Sequence, residues 1–430
     1  METLIQEKLN KAQTAFNQWR FIAFEDKQKL IARASEILKN RAEDLGKIIT
    51  KEMNKPISQA IAEVQKCALM MDYYATVENS LKPEKIASEY SLSEVHFVPK
   101  GVILGVMPWN FPFWQVLRFA TPTLLSGNTA VLKHASICFE SGRAIENILL
   151  EAGFPEGVFQ NLEIGHNEVR QILESPIIKG VSLTGSEKAG AEVAALAGRN
   201  IKKSLLELGG SDAFIVLDDA DLNKASQTGA LARLQNCGQT CVAAKRFIIQ
   251  ENVYHRFLDL LSAEFKNYQP ANPLDKNTLI SGMARADLAD ELENQYKKAL
   301  EHGAEVILPL ERISDTAFKP SLIAVERANP ILQEELFGPV GIVLRAKDDN
   351  EALDLANDIP YGLSNSVWTA NLERADFYIK NLESGTVNIN RMTSSDPRFP
   401  FGGTKLSGYG TELSLLALKE FVTAKTVIIQ

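Results

Sequence analysis

The chain has 430 residues, 45% hydrophobic and 23% charged, with a formal net charge of -8, which is ordinary globular composition. Its length favours two or more domains, because single cores stop growing at roughly 250–300 residues. The acidic balance argues against a nucleic-acid or anionic-membrane partner, and the apolar runs fall far short of the roughly 20 residues that a membrane helix needs.

Residues 1–10 lack the basic and apolar regions of a secretory signal. Four cysteines (Cys67, Cys138, Cys237 and Cys241) do not make a disulfide framework in a chain this long. The expectation is a cytoplasmic protein with reduced thiols.

The first 80 or so residues read as helices with charged faces. In 26–41, Leu30, Ile31, Ala34, Ile37 and Leu38 recur at helical spacing. After Lys82-Pro83 the texture changes, and Tyr90, Leu92 and the 95–98 run suggest a short hairpin over 88–98. Strands then alternate with helices. Strands are expected at 102–106, 129–132, 158–164 and 180–183, and helices at 113–125, 141–151, 168–173 and 186–197. The pattern starts afresh after Leu208-Gly209-Gly210, with a strand at 213–217, a helix at 222–234, a strand at 246–250 and a helix at 252–265. Further strands are expected at 304–308, 341–344, 365–368 and 386–389. Such alternation predicts parallel sheets covered on both faces, with a ligand cleft where two units meet. Residues 425–430 read as one strand that needs a neighbour, either the 88–98 hairpin or another subunit.

No G-x-G-x-x-G, P-loop lysine motif, H-E-x-x-H or C-x-x-C occurs, and the five histidines are scattered. A zinc site or a Cys–His hydrolase is therefore disfavoured, and no metal is expected. Asn236-Cys237-Gly238-Gln239-Thr240-Cys241 is a polar, glycine-containing turn between a helix and a strand. A loop thiol beside oriented N–H groups, with its pKa lowered, is a candidate nucleophile; the alternative is a small buried hydrophobe. Glu207, at the end of an apolar strand before two glycines, suits a general base with a raised pKa, or simply a lysine partner. Asn110, held between Pro108 and Pro112, offers an amide to a developing oxyanion, or serves turn geometry. Thr184-Gly185-Ser186 opens a helix that can hold a phosphate, although any such triplet also makes an N-cap.

Taken together and in this order, residues 108–112, Lys133, 183–186, 207–210, 238–241, 334–339 and 400–403 resemble the aldehyde dehydrogenase superfamily. Leu183 and Leu336 stand where the family usually has Phe and Ile. The resemblance implies an α/β fold: a Rossmann-like cofactor domain (1–86 and 101–209), a catalytic α/β domain (210–415) and a small β oligomerisation flap (87–100 and 422–430). It implies a homo-oligomer, a dimer or tetramer, and a mechanism in which Cys241 attacks an aldehyde. Asn110 and the Cys241 N–H then stabilise the oxyanion, and Glu207 activates water against the thioester. For the cofactor it implies Glu335 at the nicotinamide ribose, with Phe337 and Trp109 nearby. Lys133 would hold the adenosine ribose, with Gly185 and Ser186 at the pyrophosphate.

NAD-selective relatives often place a glutamate three residues after this lysine, whereas this chain has Ser136, and His134 replaces a usual proline. NADP is therefore expected as the preferred cofactor and NAD as the other choice; Ser136 as a mere helix cap would leave dual specificity. Arg118, in the apolar 116–120 stretch, wants a carboxylate, either a substrate's or an internal one. Succinate-semialdehyde dehydrogenases have an arginine here, and their short bacterial branch is most similar to this chain. Some relatives carry a second arginine where this chain has Gln235; Arg398 is the expected substitute, with hydroxyls from Ser394 and Ser395. The expected reaction is oxidation of succinate semialdehyde to succinate. The alternatives are a dehydrogenase for other acidic or aliphatic aldehydes, and a non-catalytic binding protein of the same fold. A CoA-acylating relative would commonly lack the glutamate base. A Cys237–Cys241 disulfide is the one redox device the spacing allows, if the turn brings the Cα atoms within roughly 7 Å.

Overall fold

The computed structural model describes residues 2–430. Four helices lead: Glu2–Trp19, Phe24–Asn40, Ala42–Met53 and Ile57–Thr76. The second buries Ile31, Ala34 and Leu38, the stripe that its sequence spacing predicts. The third ends on Asn54 in the left-handed conformation (φ 61°), which asparagine tolerates. That turn delivers Lys55 into the interior.

Two sheets follow. The first has six strands in the order Gly408–Tyr409, Lys203–Glu207, Ile178–Thr184, Val102–Met107, Thr129–His134 and Phe159–Leu162. All are parallel except Gly408–Tyr409. The central strand is buried on both faces, which is why it reads as an unbroken apolar run rather than an alternating one. Its first two successors in the chain lie on one side of it and the next two on the other. The strand order therefore reverses beside Val102–Met107, and a crevice opens at the carboxyl ends of that strand and Ile178–Thr184. Pro108 to Asn110 leave one strand there, and Gly185 and Ser186 leave the other.

The second sheet has seven strands: Glu305–Leu308, Ser321–Ala324, Val340–Ala346, Ala244–Gln250, Asp212–Val216, Ser364–Trp368 and Thr386–Ile389. Only Glu305–Leu308 is antiparallel. Leu222–Leu234 and Thr386–Ile389 have the bounds expected from sequence, and most other elements differ by a residue or two. One connection departs from the expected boundary at 209/210. Gly408–Tyr409 returns to the first sheet, and Phe401, Leu413, Leu418 and Phe421 pack into its core.

A small third sheet joins Glu84–Lys85, Leu92–Pro99 and Val422–Ile429. The expected 88–98 hairpin is therefore not a self-contained one. Leu92–Pro99 pairs along its whole length with the far strand, Leu92 opposite Ile429 and Pro99 opposite Val422. An eight-residue partner offers far more ladder hydrogen bonds than the two-residue Glu84–Lys85. Among the described residues, no helix is long and apolar enough to cross a membrane.

Candidate active site

Two cavities meet at Cys241. One, of about 400 Å³, is lined by Trp109, Asn110, Thr184, Gly185, Ser186, Glu335 and Phe337 among others. The second, of about 240 Å³, is lined by Lys66, Trp114, Arg118, Ser394, Ser395 and Phe401 among others. Cys241 and Gln115 belong to both walls.

The nucleophile turn is built from unusual backbone. Asn236 and Cys237 adopt positive φ (55° and 57°), a strained state that persists only when the surroundings enforce it. Here they do. The Asn236 side chain donates to the carbonyls of Asn110 (2.9 Å) and Gln239 (3.2 Å), and the Gln239 amide accepts from the Ala284 N–H (2.9 Å). Gly238, at φ 72°, lies where any Cβ would collide with the Gly338 carbonyl. Buried Arg233 donates to the carbonyls of Gly238 (3.2 Å) and Leu336 (2.9 Å), tying this turn to the segment that carries Glu335 and Phe337. Lys245 is wholly buried, and its ammonium donates to the carbonyls of Thr240 (2.9 Å) and Cys241 (2.7 Å) and to Glu335 Oε1 (2.8 Å). Gly209 and Gly210 allow the close approach: a Cβ on them would come within 2.6 Å of Glu335 Oε2 and 2.8 Å of the Cys241 carbonyl, respectively.

Burial pushes the Cys241 thiol up to about 11, opposed by Lys245 and Arg118. The lowered pKa expected from sequence is thus corrected, because burial outweighs the two cations, while the residue stays half-buried and open to both cavities. Cys237 points elsewhere. Its sulfur donates to the Ser281 carbonyl (3.3 Å) within the second sheet's core, whereas Cys241 packs against the first sheet's core. Both are free thiols, so the structure holds no disulfide between them.

Asn110 is fixed from both ends of its amide. Gln115 donates to its Oδ1 (3.1 Å), and its Nδ2 donates to the Gln239 carbonyl (3.0 Å), leaving the second amide hydrogen free. A buried Lys55–Glu63 ion pair anchors the turn. Lys55 donates to the Asn110 carbonyl (2.8 Å), and Glu63 accepts the N–H groups of Phe113 (2.9 Å) and Trp114 (3.0 Å) at the start of helix Trp114–Leu125. A carboxylate there satisfies orphan donors and complements the helix dipole.

Glu207 ends its strand 2% exposed, with Oε1 lacking a hydrogen-bond partner. Burial raises its carboxyl well above the usual range; Arg118 opposes and Glu412 reinforces. In this conformation it stands behind the cavity walls, beside the Arg118–Glu412 ion pair. Of the two carboxylates expected for Arg118, a substrate's or an internal one, the structure supplies the internal one. The guanidinium already has an internal carboxylate and lies over the Phe401 ring (4.7 Å to the centroid), although it still lines the second cavity. Arg398 is corrected outright. It is exposed, forks onto Asp396 (2.9 and 2.6 Å), and is not on the cavity wall. Ser394 and Ser395 are on it, and Ser395 Oγ accepts from Lys66 Nζ (2.7 Å).

The first cavity fits a dinucleotide. Thr184 Oγ1 is buried on its wall with no partner, and Ser186 caps the 13-residue helix Glu187–Arg199, whose N-terminus faces it. Trp109 and Phe337 meet edge to face at 5.8 Å. Lys133 and Ser136 lie beyond this cavity. Lys133 Nζ approaches His166 Nδ1 (3.4 Å). Ser136 is exposed and caps no helix, since the N-cap residues there are Ala135 and Cys138. His134 is buried, with Nε2 at the Pro112 carbonyl (3.0 Å), and burial lowers it to about 4, so it braces the turn as a neutral ring.

Lys55, Glu63, Lys66, Gln115, Lys245 and Glu412 escape the sequence reading. The usable signal lay in Ile57–Thr76, where Glu63 and Lys66, three apart on an otherwise apolar face, demanded buried partners.

The model of the aldehyde dehydrogenase family matches residues 2–427. The chain is 43% identical over 427 residues to a Synechocystis sp. protein named a probable succinate-semialdehyde dehydrogenase (NADP+), covering 98% of this chain and 94% of that one. It is 40% identical to the succinate semialdehyde dehydrogenase (NAD(P)+) of Escherichia coli, covering 98% and 92%. The structure superposes on succinic semialdehyde dehydrogenase from Streptococcus pyogenes, in complex with NADP+, with a TM-score of 0.97 and 38% identity, covering 100% and 95%.

Proposed function

Since this chain belongs to the aldehyde dehydrogenase family, we propose that it oxidises succinate semialdehyde to succinate with NADP, NAD being the other acceptor, through a thioester on Cys241. The observation that carries this is the position of Cys241 on the walls of both cavities, with the rigidly held Asn110 amide on the wall of the first.

Cys241 adds to the aldehyde carbon as its proton passes to Glu207, which turns inward from its buried position. The free Asn110 amide hydrogen and the Cys241 N–H, which makes no hydrogen bond within the described residues, hold the resulting oxyanion. Each such donor is worth about 3–4 kcal/mol. NADP, when bound, would supply the hydride acceptor for oxidation of this adduct to the thioester. Glu207 gives the Cys241 proton up to solvent and then takes one from water as the hydroxyl attacks the thioester carbonyl; the C–S bond breaks, the proton passes from Glu207 to the departing sulfur, and the acid and the Cys241 thiol are released. Splitting the oxidation in this way replaces one hard step with two easier ones.

Glu335 would hold the nicotinamide ribose, with Trp109 and Phe337 beside the ring and Gly185 and Ser186 at the pyrophosphate. Lys133 and Ser136 would hold the 2′-phosphate, where Ser136 brings no repelling charge. Arg118, Ser394 and Ser395 form the aldehyde side. The segments 1–86 and 101–209 serve the cofactor, 210–415 catalysis, and 87–100 with 422–430 assembly into a cytoplasmic homo-oligomer. The half-exposed flap strands, which still present an open edge, support that last assignment. A broader aldehyde dehydrogenase is the second reading, favoured by the apolar stretch of Phe111, Trp114, Val242 and Phe401 on the tunnel wall.

The test is NADP reduction with succinate semialdehyde, beside butanal and NAD. Turnover that favours the acid and NADP is expected. No turnover with any aldehyde overturns the activity, and butanal used as well as the acid selects the broader enzyme.

A further inference from the structure

The aldehyde cavity has two cations on its wall, and they are in opposite situations. Arg118 is neutralised by Glu412, with Glu207 close by. Lys66 has no carboxylate partner among the described residues. Its ammonium donates to the neutral Ser395 Oγ at 2.7 Å and rests 4.3 Å from the Trp114 ring centroid. A lone ammonium in a partly dehydrated wall is unfavourable unless an anion arrives. Lys27, the other lysine held against a tryptophan (Trp19, 5.5 Å), makes the contrast clear: it is buried in the helical layer and faces neither of the cavities at Cys241. Lys66 faces the cavity that contains the nucleophile.

We infer that Lys66, with Ser395, is the anchor for the distal carboxylate of the aldehyde, and that Arg118 is a positioning residue that holds Glu412 and sets the field at Glu207. This rests on the acidic-aldehyde reading above and deepens it. Gln235 stands on the same wall, so the cation comes from helix Ile57–Thr76 and not from the nucleophile loop. A second carboxylate at Arg118 would meet Glu412 at close range, whereas on the Lys66 side the one carboxylate of the wall, Glu63, is already paired with Lys55.

Burial, with Arg118 facing it from helix Trp114–Leu125, lowers the Lys66 ammonium to about 8; Cys67 and Glu63 on its own helix and Cys241 from the nucleophile turn oppose weakly. Capture of an anion at Lys66 therefore weakens as pH rises through that value.

The experiment compares wild type with Lys66→Met and Lys66→Arg, each checked for an unchanged thermal melt. Three readouts are taken: KM for succinate semialdehyde, the ratio of kcat/KM for this acid over butanal, and the protection of Cys241 from iodoacetamide by succinate. Lys66→Met should lower the acid-to-butanal ratio roughly 10- to 100-fold, through KM rather than kcat, as expected for a lost charge-assisted contact. It should also abolish protection by succinate. Lys66→Arg should restore most of both and remove the rise in KM above pH 8. A ratio and protection unaltered in folded Lys66→Met overturn the anchor and leave the acidic-aldehyde enzyme standing. A wild type that does not distinguish acid from butanal overturns both.

Discussion

On the cofactor side of Cys241 the wall carries Glu187, Glu291, Glu334 and Glu335 and no lysine or arginine. On the aldehyde side it carries Lys66 and Arg118, with Glu63 its one carboxylate and that already paired with Lys55. One thiol thus stands at the boundary of two opposite fields. The first side suits a cationic ring, and the second suits an anionic aldehyde. Only the nicotinamide end of the otherwise anionic dinucleotide is cationic, so the acidic wall complements that ring alone, while the basic wall complements the acidic aldehyde.

The most drastic way to break the comparison is to remove the boundary itself: Cys241→Ala should abolish reduction of NADP with every aldehyde while leaving NADP binding measurable by fluorescence quenching. Glu207→Gln should slow steady turnover roughly 10²- to 10⁴-fold, and, because the same carboxyl takes the Cys241 proton, the first release of reduced cofactor seen by stopped flow should slow with it rather than persist as a burst. Asn110→Ala should cost roughly 10²- to 10³-fold in kcat, with no burst, because the oxyanion forms before the hydride leaves. Glu335→Gln should act on one side only, weakening NADP about tenfold by equilibrium titration without changing protection of Cys241 by succinate.

The smallest effect is also the sharpest discriminator. Glu207 is held in its acid form by burial, so the base it must become accumulates as pH rises, and kcat should climb across the neutral and mildly alkaline range with either aldehyde. Lys66 loses its proton near pH 8, so kcat/KM should turn over above that value for the acid and not for butanal. A turnover of equal size with both aldehydes would show that the alkaline limb does not come from Lys66.

What could be read from sequence follows how locally each feature is determined. Val102–Met107 was legible because a strand buried on both faces must be apolar throughout. The helix Leu222–Leu234 was legible because it opens on an Asp221 cap. Asn110, Glu207 and Cys241 were legible as a set although each was ambiguous alone. The partner of Arg118 was not, because Glu412 lies on the far side of the second sheet in the chain, and only the fold brings the two together. The pairing of the 88–98 segment with the terminal strand was legible from the resemblance, whereas a self-contained hairpin there was not what the fold adopts, because the partner strand begins at Val422. Arg398 was a different kind of miss. Its partner Asp396 is two residues away, and a short-range fork was available to the sequence before any distant role.

The return of Gly408–Tyr409, Glu412 and Val422–Ile429 to elements laid down before the second sheet also sets a timetable. As the chain is synthesised, domains tend to fold N-terminal first, so the cofactor unit can gather its five parallel strands while the rest is still being made. It then waits with an open edge, an unpaired Arg118 and a flap lacking its eight-residue partner until the late segments emerge. The tunnel is the last thing finished, and a nascent chain stalled before Glu412 would hold a thiol and a cofactor pocket but no completed place for the aldehyde.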